Sequence, residues 1–235
     1  YYKMENKSSE SLLANNIYIN QQANSQFFSN VTTFNGGYVR NNIHVEMNGE
    51  YADAKLYGLY LVDRKQYVDN QVEVIHNQPN TSSNQLYKGI ADDEAGANFN
   101  GHVIVKPHAQ GIAAYQINKN IALTDDVKIT THPFLEIYAD DVKCSHGATI
   151  GQLDEEAMFY LRSRGICKRN ARMLLMYAFA NNVADYVKIP ELRNRLNEMI
   201  QKRLSGELSI CDQCILHCSN KKSFDFEFKI KPFSN

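Results

Sequence analysis

Through the first 150 residues, apolar side chains recur at alternate positions in short runs. The clearest lie at 39–45, 55–61, 71–75, 101–105, 126–130 and 134–138. Period-two alternation rich in β-branched and aromatic residues is the pattern of a pleated strand with one face buried. Asn35-Gly36, Asn48-Gly49 and Asn100-Gly101 read as turns between such runs, because Asn and Gly tolerate the left-handed backbone region. No stretch before residue 150 carries a helical period. The pattern predicts an all-β unit, as a sandwich, a barrel or a solenoid. Abundant Asn in the turns leans toward the solenoid, where stacked coils ladder such side chains along the axis. No single repeat length emerges from the sequence.

The period changes after Gly151. Asp154 is placed as an N-cap, with Glu155 and Glu156 in the first turn at the positive end of the helix dipole. Ala157, Tyr160, Leu161 and Arg164 follow at helical spacing, and Gly165 is a natural stop. A second helix is predicted from Lys168 to about Val183, with an apolar stripe of Ala171, Leu174, Leu175, Ala178 and Phe179. Pro190 suits the first position of a third, whose stripe is Leu192, Leu196, Met199, Ile200 and Leu204, ended by Gly206. Three short helices hold little core of their own, so they are expected to pack on the β unit or on a partner. The resulting division is 1–150, a β core; 151–206, a C-terminal helical domain; and 207–235, a cysteine-containing tail.

Composition narrows the class. Of 235 residues, 43% are apolar and 22% charged, which excludes wholesale disorder. The net charge of −1 argues against a nucleic-acid binder, and no apolar run approaches the ~20 residues of a membrane span. The opening residues, from Tyr1, contain no secretory h-region. Charge is uneven: −5 over 1–150, +4 over 151–206 and zero over 207–235. Five cysteines, three of them crowded into the tail, fit a reducing cytoplasmic compartment better than oxidative secretion.

Several catalytic signatures are missing. There is no phosphate-cradling G-x-x-x-x-G-K-[ST] loop, no G-x-G-x-x-G, no H-E-x-x-H and no G-x-S-x-G, so the chain is not expected to hydrolyse nucleotides by itself. Asp92-Asp93-Glu94, Asp125-Asp126 and Asp140-Asp141 are carboxylate candidates, though Asp pairs ordinarily cap turns. The sharpest local feature is Lys143-Cys144-Ser145-His146-Gly147, at the junction of strands and helices. In an extended segment residues two apart share a face, so Cys144 and His146 project together. Thiolate and imidazole both suit iron or zinc, whereas a buried Cys and a hydrogen-bonded His are the ordinary alternative. In the tail, Cys211, Cys214 and Cys218, with His217 among them, form a candidate metal group. A structural zinc site usually draws on two separated pairs, and only one cluster is present.

From Tyr138 the chain reads Tyr-Ala-Asp-Asp-Val-Lys-Cys-Ser-His-Gly-Ala-Thr-Ile-Gly-Gln-Leu-Asp-Glu-Glu-Ala-Met-Phe-Tyr-Leu-Arg-Ser-Arg-Gly-Ile and onward to Ala180. This stretch closely resembles, without gaps, the SufB/SufD family of iron–sulfur cluster assembly proteins. A weaker likeness runs back from Thr124 to Thr32. It is similar to the SufD branch rather than the SufB branch, which typically has an acidic residue after the His and a Cys in the following Phe-Tyr segment; here those places hold Gly147 and Leu161.

The resemblance implies a mainly β fold, a right-handed parallel β-helix (β-solenoid) followed by a small C-terminal helical domain. It implies a non-catalytic scaffold subunit of a SufBCD-type complex, paired with a SufB-like subunit and docking a SufC-type ABC ATPase on the C-terminal helices. It places His146 at the subunit interface where the nascent cluster forms, with Cys144 beside it. No tightly bound cofactor is expected, only a transient iron–sulfur cluster in the complex. The docking role belongs to the segments 154–164 and 168–183 and to no single side chain: an acidic ATPase surface would suit Arg162 and Arg164, but a solvated helix face is the ordinary reading of each. Family members are longer and carry an N-terminal helical region, so the chain is expected to be truncated at its start. In isolation, an uncovered solenoid edge would allow a homodimer. The alternative from the residues alone is an exported carbohydrate-active β-helix enzyme using surface carboxylates, and a third reading is a metal-binding module built on the tail cysteines.

Overall fold

The computed structural model describes residues 1–205. Eleven strands precede three helices: β1 (Tyr2–Asn6), β2 (Leu12–Gln21), β3 (Gln26–Asn35), β4 (Tyr38–Met47), β5 (Asp53–Val62), β6 (Tyr67–His76), β7 (Ser82–Ala91), β8 (Gly96–Val105), β9 (Ile112–Ala122), β10 (Lys128–Ile137), β11 (Val142–Gly151), α1 (Glu155–Ser163), α2 (Lys168–Ala184) and α3 (Pro190–Ser205). Consecutive strands alternate between a six-stranded sheet, β1-β3-β5-β7-β9-β11, and a five-stranded sheet, β10-β8-β6-β4-β2. Every pairing is parallel. A chain that crosses to the opposite sheet after each strand and pairs only in parallel winds as a solenoid, here of about five turns.

The hidden repeat has a simple cause. Register partners lie 26 residues apart from β2 to β4 (Leu12↔Tyr38), 29 from β4 to β6 (Tyr38↔Tyr67), 29 from β6 to β8 (Tyr67↔Gly96) and 32 from β8 to β10 (Gly96↔Lys128). Strand length stays near ten residues while the corners vary. Asn24, Asn80 and Asp93 take the left-handed conformation at corners, as their chemistry allows, but so do Tyr51 and Arg64. Asn35-Gly36 and Asn48-Gly49 do sit at corners. Gly49 is required there by close approach, since a Cβ would stand 1.9 Å from the Ala23 nitrogen one coil below.

Two strand readings are corrected. Asn100-Gly101 is not a turn; it lies inside β8. Gly101 faces the lumen, where a Cβ would come within 2.2 Å of Gln116 Nε2, so the glycine makes room for a side chain rather than for a bend. The runs at 126–130 and 134–138 are not two strands but one, β10, with Pro133 in its middle. Proline is tolerated because β10 is the edge of its sheet.

The lumen is filled by alternate residues of each strand. Val31, Ile43, Val45, Met47, Leu56, Val72, Val74, Tyr87 and Phe99 form one cluster, and Val39, Tyr60, Val62, Val68 and Ala97 part of a second. Polar side chains among them are joined coil to coil. Asn41 Nδ2 donates to Asn70 Oδ1 at 3.3 Å and Gln116 Nε2 to Gln85 Oε1 at 2.9 Å, while the Tyr60 hydroxyl meets both Asn118 and Asn120. At the other corner row, Asn77 donates to Asn48 at 2.8 Å and Asn48 to Asn20 at 3.1 Å. Such ladders satisfy groups whose burial alone would be costly.

The helices close one outer face. Asp154 caps α1, accepting from the Ala157 nitrogen at 3.0 Å, and Gly165 follows the helix at φ +86°. α1 buries no residue, but α2 and α3 lie on the six-stranded sheet. Tyr57, Leu59, Leu61, Leu86, Ile90 and Ile121 point outward there and form a single core with Met176, Ala180, Val183, Leu196, Ile200 and Leu204. The α3 stripe is as its spacing predicts. The α2 stripe is rotated: of the expected positions only Ala171 is buried, joined by Met176, Ala180, Val183 and Ala184, while Ala178 is exposed. Apolar residues surround α2, so its sequence does not single out a face.

One buried ion pair fastens α3 to a corner. Arg203 Nη2 lies 2.8 Å from Asp63 Oδ1 and Nη1 3.2 Å from Oδ2, and Nη2 also reaches the Leu61 carbonyl at 3.4 Å. Neither residue drew notice from sequence pattern.

Candidate functional site at the open end of the solenoid

β10 and β11 are the last strands of their sheets, and no described strand pairs beyond them. β11 therefore presents a row of unpaired backbone N–H and C=O groups. In register, Cys144 stands over Ala114, His146 over Gln116, Ala148 over Asn118 and Ile150 over Asn120. Those β9 residues all face the lumen and are buried. The corresponding β11 residues continue the lumen rows into the final coil, where no further coil covers them. His146, Ala148 and Ile150 are exposed as a result, and Gly147 has open space around it.

Cys144 and His146 share this face, as their spacing predicts, but their surroundings differ. Cys144 is half-buried against a cluster containing Val103, Val105, Ala109, Ile112 and Ala114. Burial pushes its thiol above the ordinary range, outweighing a backbone hydrogen bond from Ala114 that favours the thiolate. Cys144 thus rests as a protonated thiol at neutral pH, and His146 is the accessible partner. The Cys144 and Cys167 thiols are free, and Cys167 is exposed at the start of α2. Cys211, Cys214 and Cys218 lie outside the described residues.

The carboxylate candidates lie at corners between strands, and two of them bond turn backbone. Asp92 Oδ1 accepts from the Asp93 nitrogen at 3.0 Å, and Asp93 Oδ2 accepts from Arg64 nitrogen of the neighbouring coil at 3.1 Å. The Asp141 carbonyl accepts from Gly111 at 2.8 Å at the opposite corner row. The acids are divided between two edges rather than gathered in one groove. Among the described residues no group of three His, Cys, Asp or Glu side chains is placed to hold a metal ion, and no helix is long and apolar enough to cross a membrane.

Sequence reasoning missed one feature, a shallow cavity of about 470 Å³ on the outer face of the five-stranded sheet. Its wall is a row of His44, Glu73 and His102: Glu73 Oε2 lies 2.6 Å from His44 Nδ1 and its Oε1 3.4 Å from His102 Nδ1. His102 Nε2 lies 2.9 Å from Glu136. The spacing from 44 to 73 to 102 is the signal that would have revealed it, because it equals the coil length of that sheet.

Residues 1–179 match the family described as the SUF system FeS cluster assembly, SufBD core domain. That match covers most of the chain and ends within α2. The chain belongs to the SufBD family. It is 35% identical over 202 residues to the iron–sulfur cluster assembly protein SufD of Escherichia coli, covering 86% of this chain and 47% of that protein. It is 39% identical over 164 residues to the SufBD family protein slr0076 of Synechocystis, covering 70% and 36% respectively. A chloroplastic relative, ABCI7 of Arabidopsis thaliana, is 31% identical over 185 residues, 78% of this chain and 39% of that protein. The chain spans less than half the length of these SufBD relatives. The matched residues take in the eleven strands, α1 and the first part of α2, and the Tyr138–Ala180 likeness runs from the end of β10 through β11 and α1 into α2.

Proposed function

We propose that this SufBD-family chain is a non-catalytic scaffold subunit of a SufBCD-type complex. In this reading a SufB-like subunit continues the solenoid at β10 and β11, and a SufC-type ABC ATPase docks on the helices. The observation that supports it is the open final coil, where no described strand pairs with the outer edges of β10 and β11 and His146 is exposed. Sheet edges are ordinarily blunted or paired; a partner solenoid pairing here would continue both sheets and cover the open end of the lumen. It would also bring a second chain's side chains against His146, whose imidazole can accept a proton, donate a lone pair to iron or donate an N–H to sulfide. Cys144 acts there as a secondary thiol. The cluster is cargo formed between subunits, and the chain itself keeps no resident cofactor. The tail cysteines Cys211, Cys214 and Cys218 are a separate metal-binding proposal, tested by metal analysis of the chain with and without them.

For the ATPase, α1 is the part of the helical segment free to dock. It buries nothing internally, and Phe159 and Tyr160 are exposed at 75% and 57%. The reducing, cytoplasmic setting rests on cysteine usage and on family kinship.

Co-expression with a SufB-like subunit and a SufC-type ATPase tests both contacts. Ala148→Glu with Ile150→Glu is expected to abolish pairing with the SufB-like chain while leaving the melting temperature unchanged, since both sites are exposed. Phe159→Asp with Tyr160→Asp is expected to release the ATPase only. His146→Ala is expected to leave the complex intact and stop cluster build-up from iron and sulfide. A complex that forms unaltered with all four interface substitutions would sink the scaffold reading.

A further inference from the structure

The amide ladder inside the solenoid has a direction, and it runs toward His146. Gln85 on β7 and Gln116 on β9 are register partners, both fully buried. Gln116 Nε2 donates to Gln85 Oε1 at 2.9 Å. A primary amide carries its donor and its acceptor on opposite sides. With its nitrogen turned toward β7, Gln116 turns its carbonyl oxygen toward β11, and the β11 residue in register is His146. That oxygen, Gln116 Oε1, is enclosed and has no hydrogen-bond partner among the described residues. The amide is also held in place laterally, because β8 carries Gly101 where any Cβ would stand 2.2 Å from Gln116 Nε2 and 2.6 Å from its Cδ.

An enclosed acceptor without a donor is unusual in a native interior. Here its register partner in the final coil is His146, whose ring can supply an N–H. We propose that Gln116 is the positioning residue for His146: Gln116 Oε1 accepts the N–H of one ring nitrogen, fixes the tautomer, and leaves the lone pair of the other nitrogen directed out of the solenoid end. A histidine that binds iron or takes a proton through one nitrogen is ordinarily oriented by an acceptor on the other. Gln85 anchors Gln116 in turn, so orientation is carried from the rigid lumen to a side chain that is otherwise free in solvent. The use of this contact rests on the role of His146 proposed above; its existence does not.

Long-range ¹H–¹⁵N NMR of the full chain with labelled histidine, at a pH where the imidazoles are neutral, reads the tautomer directly, and His146→Gln identifies the signal. His146 is expected to show one dominant tautomer. Gln116→Met, an apolar near-isostere, is expected to return it to the mixture of free imidazole without moving the other six histidine signals; Gln116→Glu, which keeps an acceptor, is expected to preserve a single tautomer. Should Gln116→Met not fold, Gln85→Met removes the anchor instead and is expected to loosen the preference. In the assembled complex, Gln116→Met is expected to slow cluster build-up about 10-fold, with Gln116→Glu restoring it. A tautomer ratio at His146 that is unchanged in folded Gln116→Met or Gln85→Met overturns the proposal. Loss of the tautomer preference together with a His146→Ala complex that still builds clusters would instead overturn the site and leave the contact standing.

Discussion

The six-stranded sheet turns Tyr57, Leu59, Leu61, Leu86 and Ile90 outward, and α2 and α3 bury them. The five-stranded sheet turns Asn42, Gln71, Glu73, Asn100, His44 and His102 outward, and these line an open cavity. Both sheets have the same parallel pairing, the same coil and nearly the same strand length. Outward residues therefore decide what each face becomes, while inward residues form a mixed lumen of apolar side chains and bonded amides in both. One face is a second core, whose residues join a β unit and a helical unit that a boundary near 150 would separate. The other is a polar ladder whose groups answer one another across strands.

The strongest way to break this comparison is to remove the helices. A chain ending at Gly151 exposes the whole outer cluster of the six-stranded sheet. Burial of each large side chain contributes roughly 1.5–3 kcal/mol, so losing several is comparable to the ~5–15 kcal/mol by which most domains are stable. Such a chain is expected to aggregate, with light scattering and dye binding as the measurements. A monomeric, cooperatively melting product would show that the solenoid stands without its cover.

The ion pair Arg203–Asp63 is the next test. Both side chains are almost fully buried. Arg203→Met leaves a buried carboxylate without its partner and is expected to cost about 3–5 kcal/mol by denaturant unfolding. Adding Asp63→Leu is expected to recover most of that loss. Equal midpoints for the single and double variants would mean that the pair does not fasten α3.

Histidines separate the lumen from the bare face. His76 is buried, with Thr81 Oγ1 2.7 Å from Nδ1 and Ser83 Oγ 2.9 Å from Nε2, and burial pulls its pKa down from 6.5 to about 4. Its folded form stays neutral where the unfolded chain takes a proton. Stability from this residue is therefore complete above pH 6.5, falls as pH drops toward 4, and levels off below that. The drop is expected to be about 3 kcal/mol, and His76→Gln is expected to flatten that part of the stability–pH curve. The smallest effects belong to the outer ladder: His44→Ala and His102→Ala are each expected to change stability by no more than about 0.5 kcal/mol, because partly exposed pairs gain little. A larger loss would show that the ladder braces the five-stranded sheet.

Much of this architecture was legible along the chain. β4 alternates cleanly, Val39, Asn41, Ile43, Val45 and Met47 facing in. The end of the β region, the Asp154 cap, Gly165, Pro190 and the α3 stripe are where local chemistry puts them. β5, read as one of the alternating runs, is different: Leu56, Tyr57, Leu59, Tyr60 and Leu61 are apolar on both parities, because that strand has a core on each side. Its alternation is erased by the helices that cover it, and nothing local says so. For the site, spacing put Cys144 and His146 on one face, but only burial distinguishes a packed thiol from an exposed imidazole.

The sequence by itself determined what is local: strand or helix, where one gives way to the other, which residues cap, and the kinship carried by the stretch from Tyr138 to Ala180. Backbone geometry sets those periods within a few residues, so they can be read in order. The tertiary structure decided which residues are stacked. His44, Glu73 and His102 meet only because two corners keep the coil at 29 residues, Arg203 finds Asp63 across 140 residues of chain, and His146 lies above Gln116 because β11 is the last strand of its sheet. Column neighbours depend on the accumulated length of every corner between them, and those lengths follow no period.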